Sequence, residues 1–145
     1  MIPPDPPAPR DALAALPAGA LPYEVRFDGT RRRLHWTMRG FWTLREVGGL
    51  AEAMRSALAP LGPRPHRYDG LCDSRDFPVQ TAEVSHALGR IDQAGATMRQ
   101  GRMAIVVGST LNKLQAQRTL TSPDVRIFET LDSAQAWLNE ERPQQ

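Results

Sequence analysis

Arg102-Met103-Ala104-Ile105-Val106-Val107-Gly108-Ser109-Thr110 decides the fold. Five apolar residues run without a polar break, glycine, serine and threonine follow, and a helical pattern begins at Leu111. A strand with one wet face alternates apolar and polar residues. A continuous apolar run bounded by turn residues instead fits a strand buried on both faces, as in parallel sheets.

Downstream, Leu111, Leu114 and Arg118 mark one side of a helix that Ser122-Pro123 breaks. Val125–Phe128 reads as a last strand, and Thr130 or Asp132 caps a helix carrying Leu131, Ala134, Trp137 and Leu138. Upstream, Thr81 caps a helix with the stripe Val84, Ala87, Leu88, Ile91, Ala94 and Met98. Before it, Arg67 to Asp73 reads as a strand, with Leu71-Cys72 apolar, Asp73-Ser74 at its end and Asp76-Phe77-Pro78 as a loop. Thr43 and Glu46 have capping-box spacing at the start of a helix striped by Leu44, Val47, Leu50, Ala51, Met54 and Leu58. Gly48-Gly49 inside it costs about 1 kcal/mol per glycine relative to alanine, which tight packing against a neighbour would offset. Pro60, Gly62, Pro63 and Pro65 end that helix. Tyr23, Val25 and Phe27 alternate with polar residues, as do Leu34, Trp36 and Met38, and Asp28-Gly29-Thr30 joins the two runs as a hairpin. His35 falls on the polar face, and Arg31-Arg32-Arg33 reads as a solvated tip.

The order β-β-α-β-α-β-α-β-α predicts an α/β fold with a mixed, mainly parallel sheet of about five strands and about four helices. Residues 1–22 carry prolines at 3, 4, 6, 7, 9, 17 and 22 and read as a proline- and alanine-rich disordered tail. Residues 23–140 read as one domain and 141–145 as a polar tail. The 145 residues suffice for a single core. A net charge of only +2 argues against a nucleic-acid partner, which calls for a clustered basic stripe. One cysteine, Cys72, excludes an internal disulfide and points to a reducing, cytoplasmic setting. No apolar run approaches the ~20 residues of a membrane span, and the start of the chain lacks a signal-peptide pattern.

Four stretches carry a family resemblance: Leu34–Trp42, ending in Arg-Gly-Phe-Trp; Leu71-Cys72-Asp73; Ala104–Ser109; and Val125–Leu138, where Arg-Ile-Phe-Glu-Thr precedes Ala134 and Trp137-Leu138. Together they resemble the SpoIIAA-like superfamily, which includes STAS domains and shares its fold with lipid-binding CRAL-TRIO-type domains. The likeness spans roughly residues 23 to 140. It implies a regulator in which a serine after the third strand is phosphorylated by a partner kinase. Ser74, in Asp73-Ser74-Arg75-Asp76, and Thr81 at the helix start are the corresponding positions, although the Ser-Ser-Gly piece of the family turn is absent.

In a parallel sheet, binding clefts lie beyond the carboxyl ends of the strands. Those ends make Trp42, Asp73, Arg75, Ser109 and Thr110 the candidate cleft residues, with Lys113 and Arg118 on the next helix. Their roles would be aromatic stacking, hydrogen bonding and anion contact. Trp36, Trp42 and Trp137 read as core or half-core aromatics, with Trp42 alone in a loop that a ligand or partner can reach. Gly108-Ser109-Thr110 before a helix offers free amides to an anion, but Ser109 or Thr110 can equally cap that helix, and no phosphate-loop glycine pattern is present. A catalytic Cys72 would need a base beside it, and a lone cysteine ending a strand is more often a small core residue. His35, His66 and His86 are scattered and show no metal-ligand spacing.

These readings predict a non-catalytic cytoplasmic regulatory or protein-interaction module with no cofactor or metal, binding a protein partner or a second copy of itself. The alternative is a carrier or sensor for a small molecule or lipid on the same fold. An enzyme using Cys72 or the Ser109 turn comes third. A closed core with a shallow polar cleft would select the module, and an apolar cavity between helices and sheet would select the carrier.

Overall fold

A computed structural model describes residues 20–140. The expected tail over residues 1–22 lies outside the described residues except for its last three positions, and residues 141–145 lie outside them as well. The strands are β1 (Tyr23–Asp28), β2 (Arg33–Arg39), β3 (Asp69–Asp76), β4 (Met103–Val107) and β5 (Val125–Phe128). The helices are α1 (Leu44–Leu58), followed by a 3-10 turn at Ala59–Leu61, then α2 (Ala82–Met98), α3 (Thr110–Thr119) and α4 (Leu131–Asn139). The element order is the one expected from the sequence. The five strands lie side by side in chain order, β1 antiparallel to β2 and every later pair parallel.

The side-chain alternation of the strands separates two cores. Leu34, Trp36, Met38, Cys72, Met103, Ile105 and Val107 face one side, together with residues of α1 and α2. Leu71, Ala104 and Val106 face the other, under Ala134 and Leu138 of α4. All five residues of β4 are buried, as its uninterrupted apolar run requires. Side-chain hydroxyls start the helices. Thr43 and Glu46 form the full capping box, Thr81 accepts from the Val84 amide, Ser109 from Asn112, and Thr130, not Asp132, from Ser133.

Two local expectations change. β3 does not end at Asp73 but continues to Asp76, because parallel pairing with β4 persists to Ser74 and Val107 and Arg39 of β2 pairs with Asp76. The Arg31–Arg33 run is not wholly a solvated tip. Arg33 begins β2, is 3% exposed, donates to Asn139 Oδ1 at 2.9 Å and lies 3.9 Å from the Asp69 carboxylate. Chain reversal occurs through Arg32, which adopts the left-handed conformation at φ 52°. On α3, Leu111 and Leu114 face solvent, at 66% and 46% exposure.

The paired glycines of α1 separate into two cases. A Cβ at Gly49 would lie 2.1 Å from Tyr23 Oη and 2.8 Å from its Cζ, so glycine lets α1 settle onto β1. Nothing approaches within 4 Å of a Cβ at Gly48. Gly48→Ala should therefore stabilise the protein by up to about 1 kcal/mol. Gly49→Ala should lose that gain, because the Tyr23 ring, stacked edge-on against Trp42, must shift. Urea midpoints of the two variants check this; equal stabilisation by both would show that α1 does not need the contact.

Candidate functional site

A mostly apolar concavity lies between the sheet and its three-helix face. It has a volume of about 480 Å³. The floor is the inner face of the sheet, with Leu34, Trp36 and Met38 from β2, Cys72 from β3, and Met103 and Ile105 from β4. Leu50, Met54 and Leu58 of α1 form one wall. Leu88, Ile91 and Met98 of α2 and Ala116 of α3 form the roof and the other wall. The exposed Arg55, Ala59, Gly62 and Arg64 also border it, which puts a solvent side at the end of α1.

Hydrogen bonds fasten α2 at both of its ends. At the first end, Gln80 is buried and its amide Nε2 donates to Gly40 O at 3.0 Å and to Pro78 O at 2.7 Å. Its Oε1 accepts from the Trp42 amide at 2.8 Å. Its backbone exchanges two hydrogen bonds with the Gln115 side chain on α3. At the last end, the His66 amide donates to Met98 O and the Gln100 amide to His66 O, each at 2.9 Å. Between those ties, α2 runs alongside α1 and α3.

Three polar residues interrupt the cavity-facing side of α2: Ser85, Asp92 and, at the helix end, Arg99. They are spaced seven residues apart, each step drifting only about 20° around a helix, so the three span about 40°. All three are buried. Ser85 Oγ and Asp92 Oδ1 have no hydrogen-bond partner among the described residues, while Asp92 Oδ2 accepts from the Ser122 hydroxyl at 2.7 Å. His66, also lining the cavity, has its Nε2 buried without a partner among the described residues. Sequence reasoning passed over this line because it tracked only the apolar stripe. Three polar residues at heptad spacing within that stripe were the available signal.

The residues expected to form a cleft at the carboxyl ends of the strands are not brought together there. Trp42 is 2% exposed, so it is not open to a ligand; its indole donates to Arg39 O at 2.8 Å and its ring stacks edge-on against Phe77 and Tyr23. Asp73 and Arg75 hold each other in a two-point pair at 2.9 and 2.8 Å. The hydrogen bonds from Arg75 draw the Asp73 carboxyl below its ordinary pKa. Ser109 caps α3, so its hydroxyl is already engaged, and Thr110 is the first residue of that helix. Lys113 reaches Glu129 at 3.9 Å. Arg118 borders a separate surface groove between α2 and α3, with the exposed Val79, Leu111 and Leu114. Ser74 is buried within β3 and donates to Val106 O at 2.7 Å, so a kinase would reach it only if the strand opened. Thr81 is half-buried and its hydroxyl caps α2.

Cys72 is fully buried between β2 and β4. Burial first, and the neighbouring Asp73 charge second, push its thiol well above the ordinary range. The thiolate needed for nucleophilic attack is disfavoured there. Cys72 should therefore be alkylated by a maleimide far more slowly in the native protein than in the protein unfolded by urea. Labelling that is rapid under native conditions and independent of added urea would restore a reactive thiol.

Among the described residues, no helix is long and apolar enough to cross a membrane. No protein-family model and no curated protein matches the chain. Among solved structures, the chain is similar to an uncharacterized protein of the DUF3478 family with a SpoIIAA-like fold from Shewanella loihica PV-4. The two are 16% identical and superpose with a TM-score of 0.63 over 86% of this chain and 99% of that one. Together with the five-stranded mixed sheet and four helices, that likeness gives this chain the SpoIIAA-like fold.

Proposed function

We propose that this protein is a cytoplasmic carrier or sensor that encloses a small apolar or amphipathic molecule between its sheet and its three-helix face, without catalysing a reaction on it. The cavity carries this reading. At about 480 Å³ it falls among ligand pockets, typically ~300–1,000 Å³, and its walls are mostly aliphatic, aromatic and methionine side chains. Protein interiors are otherwise close-packed, with few voids larger than a water molecule. A space this size between two layers is room that a ligand would fill. Methionine suits such walls because its flexible, polarisable side chain adapts to irregular shapes, and Met38, Met54, Met98 and Met103 all line the space. The lone cysteine, Cys72, supports the reducing compartment.

A second reading, a regulatory module that binds a protein, is favoured by one observation. Val79, Leu111 and Leu114 stand exposed around the groove between α2 and α3. The two readings are compatible in a sensor, since α3 contributes to both the cavity wall and that groove.

Two measurements test the cavity. Native mass spectrometry of the protein purified from its own host should show a small molecule retained with the chain. Ala116→Phe should place a ring into the space. In a filled core such overpacking costs about 1–3 kcal/mol; here the urea midpoint should hold or rise. The same variant should abolish the change in tryptophan fluorescence, to which Trp36 in the cavity wall contributes, on titration with 1-dodecanol. A wild-type protein that carries nothing and ignores dodecanol, or an A116F variant with the full overpacking penalty, would remove the carrier reading.

A further inference from the structure

The cavity is mostly apolar, and at its end beside His66 stands a buried arginine. Arg99 follows α2 directly and is 7% exposed. Its guanidinium borders the same space as Trp36, Met103 and Ile105. An arginine carries five N–H donors and keeps its charge at any ordinary pH. The contacts made by this one are poor. Nε donates to Gly101 O at 3.3 Å, at the long edge for such a bond, and Nη1 lies 3.4 Å from the Met103 sulfur, a weak acceptor. No carboxylate among the described residues lies within ion-pair distance of it. Burial is the largest influence on its pKa and pulls it down, while Tyr68, Asp92, Asp124 and Asp69 pull the other way. A buried charge without a close counter-ion is costly, and a protein normally supplies one.

We infer that the missing counter-ion is the head group of the ligand, and that the molecule enclosed is an amphiphile with a single negative charge, such as a long-chain carboxylate. This rests on the carrier reading and narrows it to a chemical class. The carboxylate would accept the free fork of Arg99 while the chain lies along the sheet floor over Trp36. The solvent side of the cavity carries Arg55 and Arg64, which favour the approach of an anion. Asp92, on the same line of α2, limits the head group to one negative charge, because its carboxylate faces the same space. Hydrogen bonds between a charged pair out of water are strong, so the carboxylate should gain about ten- to a hundredfold in affinity over its neutral counterpart.

The test compares three probes of one chain length on the full-length protein at pH 8: dodecanoate, 1-dodecanol and dodecyltrimethylammonium, each followed by tryptophan fluorescence. Dodecanoate should bind tightest by that factor and the ammonium weakest. Arg99→Gln should erase the preference and keep dodecanol binding. Equal affinity for all three in the wild type would overturn the head-group inference and leave the carrier reading standing. No binding of any probe would overturn both. A carboxylate preference that survives in a folded R99Q protein would overturn the assignment to Arg99. Asp92→Asn keeps the inference testable if R99Q does not fold. It removes only the opposing charge, so it should tighten dodecanoate and leave dodecanol unchanged; an unchanged dodecanoate affinity would count against Arg99 as the anchor.

Discussion

The architecture depends on how α2 is held. A helix that crosses a sheet normally buries its apolar stripe directly on the strands, and the close packing that follows leaves no room for a ligand. Here the polar side chain of Gln80 and the backbone exchange of His66 with Met98 and Gln100 fix the two ends of α2. Near its first turn Val84 and Ala87 are buried in the core, and farther on Leu88 and Ile91 pack against that core while lining the cavity with Met98.

Gln80 joins more than the start of α2. It receives the Trp42 amide, reaches Gly40 after β2, and meets Gln115 on α3. Asn112 on α3 adds a donor to Phe77 O in the same place. Three connections and a helix are therefore locked at the carboxyl edge of the sheet by side-chain amides. Each buried amide left without its partner would cost about 1–3 kcal/mol, so this node cannot loosen piecemeal. At the opposite edge polar contacts gather on Asp69, which accepts from the Arg102 amide at 3.0 Å and lies 3.9 Å from Arg33. There the cavity is bordered by the glycine- and proline-containing segment after α1, and it is there that solvent meets the space.

Most of the fold was legible in the sequence because its signals are local. The unbroken run Met103–Val107, the capping hydroxyls of Thr43, Thr81 and Ser109, and the hairpin alternation each need only a few neighbouring residues to be read. Strand order could be expected in outline, since alternation of strand and helix favours parallel pairing. Features set by distant contacts were less visible. β3 runs on to Asp76 because β2 and β4 supply partners there, and Asp73-Ser74 gives no hint of it. Arg33 looks like one of three surface arginines until Asn139, more than one hundred positions away, receives it. The site was the least legible part. A cavity is an absence of contact between elements far apart in the chain, and no periodicity within one helix reports it. Only the polar interruptions Ser85, Asp92 and Arg99 pointed to it, and they do so only once the face they share is known to be covered.

The usual cleft of a parallel sheet lies at the carboxyl ends of its strands, where unpaired amides of the following helices can receive a ligand. In this protein those groups are already occupied. The Thr81 and Ser109 hydroxyls cap α2 and α3, Asp73 and Arg75 neutralise each other, Trp42 is packed under Phe77, and Gln80 ties the loops together. A ligand arriving there would compete with intramolecular bonds and gain little. At the amino ends the balance is reversed. Arg99 has poor acceptors, and His66 and Asp92 retain atoms without partners among the described residues. Polar groups left unsatisfied in a buried place raise the free energy of the empty protein. A molecule that satisfies them recovers that energy and buries its own apolar part against the sheet floor. The same distribution of hydrogen bonds that closes one edge of the sheet therefore leaves unsatisfied polar groups beside the space under α2, where the proposed ligand would bind.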